Sequence, residues 1–227
     1  MSHKLTILFD LDGTLVNTAP DLMRAHNHVM KKYGYDERRL SDIKKLAGRG
    51  SKVMLTRSMH EIAELSGKVK KTDTDVEKMT KEFIDFYSKN IAEESTLKNG
   101  VLDFLSWCKK NSISLGVCTN KQEHLSIDLL KKIKIYHFFD YVAGGNTFNH
   151  NKPDPRHLTD MIEIIGGNIN KTLMVGDSET DSNASKAANI PFILIKDGYT
   201  EKKTNEIYHD YVVKDFIGLE KIIEKYL

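Results

Sequence analysis

No apolar run in this 227-residue chain approaches the ~18 to 20 residues that a membrane-spanning helix needs. Near the amino terminus, Leu5-Thr6-Ile7-Leu8-Phe9 stops at Asp10 after about five residues, too short for the apolar core of a secretory signal. The expectation is a soluble, cytoplasmic protein with no membrane partner. Cysteine is scarce: Cys108 and Cys118 are the only two, which excludes a disulfide framework and offers no cysteine metal centre. Charge of one sign is lacking too. Lysine and arginine total 34 against 32 acids, a formal charge of +2, so the composition does not point to a nucleic-acid partner and any attraction for anions must be local. No repeat or low-complexity tract is present. The 40% hydrophobic content can bury a normal core, in one large domain or two small ones.

What is present changes character along the chain. After the first apolar run, Thr18 can cap a helix with Pro20 and Asp21 in its first turn, and Leu22, Ala25, Val29 and Tyr33 recur at helical spacing up to Gly34. Further helical patterns follow: a short one capped by Ser41, another through Val53, Met54, Arg57 and Ile62 to about Gly67, and one from Thr74 with Glu77 completing a capping box. Residues 15–93 thus read as all-helical. From Gly100 onward, helical stretches (125–130, 158–165, 181–188, 219–226) alternate with β-rich runs at 114–118, 141–143, 172–175, 192–195 and 211–213. That alternation predicts a parallel α/β sheet, a three-layer Rossmann-like core that the first strand joins. The domains are then 1–14 with 94–227 as core, and 15–93 as an inserted all-helical cap over the carboxyl ends of the strands.

Polar groups gather where strands should end, which is where open α/β sheets hold ligands. Asp10 and Asp12 follow the first strand, two residues apart and hence on one face if the strand continues, with Gly13 free to turn sharply. Thr119-Asn120-Lys121 follows the 114–118 run, where Thr119 either caps the next helix or meets an anion. Lys152 lies between Asn151 and Pro153-Asp154-Pro155. Asp177 and Asp181 stand four apart after Leu173-Met174-Val175-Gly176, as helix-start acids or as members of a pocket. His26 and His28, two apart on a helix, are badly placed to chelate, and the acids favour a hard cation over a histidine site.

These segments, in this order, resemble the haloacid dehalogenase-like superfamily, specifically its phosphatases with a helical cap. The pattern is carried by Asp10, Asp12, Gly13, Thr14, Thr119, Lys152, Asp177 and Asp181, and it spans essentially the whole chain. Among these phosphatases the chain looks most like the bacterial phosphoglycolate phosphatases, through Ala19-Pro20-Asp21-Leu22, Gly48-Arg49-Gly50, Thr119-Asn120-Lys121 and Lys152-Pro153-Asp154-Pro155. Arg49 departs from the Gly-Asn-Gly usual at that cap turn. The resemblance implies Mg²⁺-dependent hydrolysis of a small phosphorylated metabolite, with phosphoglycolate or a relative as substrate, by a monomer or homodimer. It makes Asp10 the nucleophile that becomes an aspartyl phosphate, Asp12 the general acid and base, and Lys152 a fixed positive charge. Metal ligation falls to Asp10, the Asp12 backbone carbonyl, Asp177 and Asp181, the last directly or through water. Substrate binding falls to Thr119, Asn120, and the cap-turn residues Arg49 and Gly50. An ordinary aspartate is ionised at neutral pH, so the acid role leads us to expect burial of Asp12 under the cap. A phosphosugar mutase or a pyrophosphatase on the same frame is the alternative.

Overall fold

The computed structural model describes residues 4–66 and 73–227. The chain enters through strand β1 (Thr6–Phe9), passes a two-residue strand β2 (Val16–Asn17), and then turns helical: α1 (Ala19–Lys32), α2 (Ile43–Leu46), α3 (Ser51–Ser66) and α4 (Asp73–Lys89). It returns through β3 (Thr96–Leu97) and continues as α5 (Val101–Lys110), β4 (Ser114–Cys118), α6 (Glu123–Lys132), β5 (Tyr141–Ala143), α7 (Arg156–Ile164), β6 (Thr172–Gly176), α8 (Glu179–Ala187), β7 (Phe192–Ile195), β8 (Tyr211–Val213) and α9 (Glu220–Ile223). A six-stranded, wholly parallel sheet forms in the order β5-β4-β1-β6-β7-β8. The expected α/β core is therefore present, with β1 at its centre.

Alternation along the strands explains the layers. Ile7 and Phe9, Leu115 and Val117, Leu173 and Val175, and Ile193 and Ile195 pack on one face, against apolar residues of α5, α6 and α9. Leu8, Met174, Phe192 and Leu194 pack on the other, against α7 and α8. Burial on both faces makes the strands read as continuous apolar runs rather than as alternating ones. Phe9 meets Phe104 and Phe139 edge-on, at ring-centroid distances of 6.3 and 6.2 Å. Such contacts add roughly 0.5 to 1.5 kcal/mol each beyond area burial and fix the strand end from which Asp10 follows. Trp107 stacks on Phe104 at 5.9 Å.

The helical stretch departs from the sequence reading in three places. First, β2 pairs antiparallel with β3, Val16 opposite Leu97, so the two chain crossings form a small ribbon where unbroken helix was expected. Second, Thr18 does not cap α1. The backbone N–H of Ala19 donates instead to the Tyr199 hydroxyl at 2.7 Å, and the Thr18 hydroxyl donates to Asp12 at 2.7 Å. Third, Ser41 lies inside a 3₁₀ turn, Leu40–Asp42, that leads into α2. The described part of α3 reaches Ser66, and Gly67 lies outside the described residues; α4 already includes Thr74, whose side chain, and with it the capping box, also lies outside them. Asp21, in the first turn of α1, accepts from the N–H groups of Glu94 and Ser95 and from the Ser95 hydroxyl at 2.6 Å. One buried carboxylate thus straps the outgoing crossing to the returning one.

Candidate active site

Asp10, Thr119, Asp177 and Lys152 all come from segments that leave the carboxyl ends of β1, β4, β6 and β5, and the sheet order makes those strands neighbours. Asp10, Asp177 and Asp181 each present a carboxylate oxygen within 4.8 Å of the others, and all three are buried or nearly so. Lys152, buried, donates to Asp10 at 2.8 Å and to Asp181 at 2.6 Å. Most lysines are solvated; this one is held charged because Asp10 and Asp181 outweigh the burial that opposes its charge.

Glycine permits this crowding. Gly13 has φ +89°, and a Cβ there would stand 2.5 Å from Asp177 Oδ2. A Cβ on Gly176 would come equally close to Asp181. Asp177 is gripped by the Thr14 hydroxyl at 2.5 Å and the Tyr199 N–H at 2.6 Å. Asp181 uses one oxygen for Lys152 and the other for the N–H groups of Asp177 and Ser178 and the Ser178 hydroxyl. It therefore holds the start of α8 and joins the acid group around Lys152 at once. The helix-start reading of the sequence is met by its contacts to Ser178.

Burial, and secondarily the repulsion of Asp181 and Asp12 against the attraction of Lys152, raises the Asp10 pKa from 3.8 to about 6. Burial followed by the charges of Asp10 and Asp181 pushes Asp177 well above the usual carboxylate range. Three carboxylates with a single cation among them are short of positive charge. Their donors are all oxygen, which suits a hard divalent ion in preference to zinc or copper. The residues fit the ion the resemblance implies.

Asp12 faces elsewhere. The strand ends at Phe9, and the Asp12 carboxylate accepts from Lys121 Nζ at 2.9 Å on both oxygens. Its side chain is 14% exposed, so the expected burial is largely there, but its neighbour is a cation that the sequence reading left without a role. Lys121 lies 4.6 Å over the ring of Tyr87 from α4. Asp10 and Asp12 nonetheless line one cavity of about 390 Å³ between the sheet and the helices, together with Thr119, Asn120, Lys121, Tyr87 and the 48–52 turn. Thr119 stands four residues ahead of α6, whose N-cap position is Gln122, so a helix-capping role for Thr119 is set aside. Asn120 donates to the carbonyls of Lys152 at 2.9 Å and Gly48 at 3.3 Å, tying the Gly48-Arg49-Gly50 turn to the core. Gly50 adopts φ +85° against the Asn120 carbonyl. Arg49 sits at the cavity rim and pairs with Glu179 at 3.3 Å. Lys121, Tyr87 and Tyr199 are the site residues that sequence reasoning missed. Lys121 did stand in a motif quoted for the resemblance; the tyrosines carried no local signal.

Known proteins agree with this architecture. Residues 7–195 match the family described as haloacid dehalogenase-like hydrolase. The chain is 37% identical to a phosphoglycolate phosphatase from Mesorhizobium japonicum, over 94% of this chain and 92% of that one. It is 34% identical to another from Agrobacterium fabrum, over 96% and 94% respectively. A crystal structure of a predicted phosphoglycolate phosphatase from Haemophilus somnus superposes with a TM-score of 0.91 at 27% identity, covering 98% of this chain and 99% of that one. A β-phosphoglucomutase from Clostridium difficile shares the fold, with a TM-score of 0.76 at 22% identity over 98% and 97% of the two chains. The chain belongs to the haloacid dehalogenase-like hydrolases. It is an enzyme of the phosphatase kind within that family, and among its described residues no helix is long and apolar enough to cross a membrane.

Proposed function

We propose that this enzyme hydrolyses phosphoglycolate, or a closely related small phosphate monoester, with Mg²⁺ bound, through an aspartyl phosphate on Asp10. The observation that carries the reading is the buried group of Asp10, Asp177 and Asp181 around Lys152, whose Asp10 lines a cavity that residues of the helices also line. A carboxylate approaching a phosphate dianion meets about 4 kcal/mol of repulsion per charge pair at 4 Å and an effective dielectric near 20, roughly 8 in all. Asp10, Asp177 and the Asp12 backbone carbonyl would hold the cation, with Asp181 behind them. When bound, the cation supplies Lewis-acid charge that offsets this repulsion.

The protein's own groups do the rest. An Asp10 oxygen attacks phosphorus, the bond to the ester oxygen breaks, and its electron pair leaves on that oxygen, which takes a proton from Asp12. Water then attacks phosphorus and gives a proton to Asp12, the bond from phosphorus to Asp10 breaks with its electron pair returning to the Asp10 carboxylate, and phosphate leaves. Lys152 neutralises developing charge, and Thr119 with the N–H groups that follow it holds the phosphoryl oxygens. The helices within 15–93 act as a cap domain over the core formed by 1–14 and 94–227, and their closure dries the site. The relatives named phosphoglycolate phosphatase support the substrate choice.

The test is phosphate release from a panel of small phosphate esters and pyrophosphate with Mg²⁺, for wild type and Asp10→Asn. Phosphoglycolate is expected to lead the panel, and Asp10→Asn to lose at least about 10³-fold in kcat, as removal of a covalent nucleophile does. Full activity in Asp10→Asn overturns the mechanism, and phosphoglycolate no faster than the panel mean overturns the substrate.

A further inference from the structure

Three cations line the cavity: Arg49, Lys52 and Lys121. Two of them are committed elsewhere and wet. The Arg49 side chain is 48% exposed and pairs with Glu179, and the Lys52 side chain is 60% exposed and pairs with Glu77 at 3.6 Å. Lys121 is also paired, with Asp12 at 2.9 Å, but it is only 6% exposed at the side chain and its partner lines the same cavity. Burial opposes its charge, but Asp12 and then Tyr87 outweigh that and keep it protonated. Beside it the Tyr87 hydroxyl is buried and, apart from its interaction with the Lys121 ammonium, makes no well-formed hydrogen bond among the described residues, although Tyr87 lines the cavity. A ligand that supplies a well-formed partner relieves the cost of burying such a phenol.

We propose that Lys121, with the Tyr87 hydroxyl next to it, binds a carboxylate carried one carbon from the ester oxygen, and so selects phosphate esters of small 2-hydroxy acids. This rests on the phosphatase reading above and names the residue that would set its substrate class. A leaving oxygen in reach of Asp12 lies within about 6 Å of Lys121 Nζ, two hydrogen-bond lengths. In a 2-hydroxy acid the carboxylate oxygens stand roughly 3 Å from the ester oxygen, which brings one to hydrogen-bond distance of that ammonium. A neutral group at the same position leaves Lys121 with Asp12 alone. Leu22, Met54, Phe83 and Leu125 add apolar surface to the same cavity.

The experiment compares phosphoglycolate with 2-hydroxyethyl phosphate, which differs by having an alcohol where the first has a carboxylate. Wild type is expected to favour phosphoglycolate by about 30-fold or more in kcat/KM, the size of a charge-assisted hydrogen bond. In Lys121→Met that preference falls at least about tenfold, mostly through KM for phosphoglycolate, and Lys121→Arg, which keeps the charge, retains part of it. Because the comparison is a ratio, general damage to the site from an unpaired Asp12 cancels. A wild-type ratio near one overturns the proposal without any variant, and so does a Lys121→Met that lowers both esters equally. Those outcomes leave the phosphatase reading standing; release of phosphate from neither ester by wild type ends both.

Discussion

At the scale of single residues, the acid cluster sets the behaviour of the protein without its cation. Asp10 has its folded pKa raised to about 6 from 3.8, so the folded state binds that proton more tightly than the unfolded chain does. Stability is therefore present below about pH 4 and lost as pH rises through 6, by up to about 3 kcal/mol for this group alone. Asp177 acts in the same direction. A divalent cation replaces the protons and removes the penalty, so its stabilising effect must grow across that window. His157 works the other way. Burial, then Lys152, lowers its pKa to about 3, so its contribution to stability is lost as pH falls below 6.5. That contribution is common to the metal-free and metal-loaded protein and cancels in their difference. We expect excess Mg²⁺ over chelator to raise the unfolding midpoint by several degrees at pH 7.5 and by about a third as much or less at pH 5, read by differential scanning fluorimetry. Equal increments at both values would show that Asp10, Asp177 and Asp181 do not form the cation site.

Among the elements, the turn after β1 makes the sharpest demand on sequence. Gly13 combines a left-handed φ of +89° with a 2.5 Å approach to Asp177, which Thr14 and Tyr199 hold in place. Gly13→Ala incurs the left-handed penalty and displaces Asp177, a loss of about 2 to 4 kcal/mol in denaturant unfolding accompanied by loss of activity. An unchanged urea midpoint would mean that the loop relaxes freely and that Gly13 is dispensable. Strands such as 114–118 and 192–195 were legible because they are buried on both faces and bounded by polar turns. Asp10, Thr119 and Asp177 stood out because each directly follows such a run, whereas Lys152 lies nine residues beyond its strand and was picked out by its place beside Pro153-Asp154-Pro155. Helix starts were placed late by about two residues at α6, α7 and α8, since their first turns are polar or begin at proline and show no apolar spacing. What could not be read was a role created by a partner far along the chain. Tyr199 receives the first N–H of α1 from 180 residues away, which displaced Thr18 from the capping role local rules gave it, and Lys121 meets Asp12 across 109 residues.

For the molecule as a whole, the cavity lies between the sheet and the helices, so any substrate must pass between them. Among the described residues, the polar contacts across this passage include Arg49 with Glu179, the Asn120 amide on the Gly48 carbonyl, and Lys121 over Tyr87. An exposed ion pair such as the first contributes at most about 1 kcal/mol, little enough to open in each cycle. The Asp21 strap and the β2–β3 ribbon, by contrast, hold both chain crossings at one place, as a hinge requires. If opening admits each substrate, a covalent link across the Arg49–Glu179 contact must stop turnover. Arg49→Cys with Glu179→Cys can be bridged by a short, reducible, thiol-reactive linker. The native thiols do not compete, because Cys108 and Cys118 are buried and their pKa values are pushed up to about 12, chiefly by that burial. The linked double variant is expected to turn over at least about tenfold more slowly than the same protein after reduction, with the helical content by circular dichroism the same in both. Equal rates before and after reduction would mean that substrate enters without separation of the helices from the sheet, and that the roof over Asp10 and Asp12 is fixed.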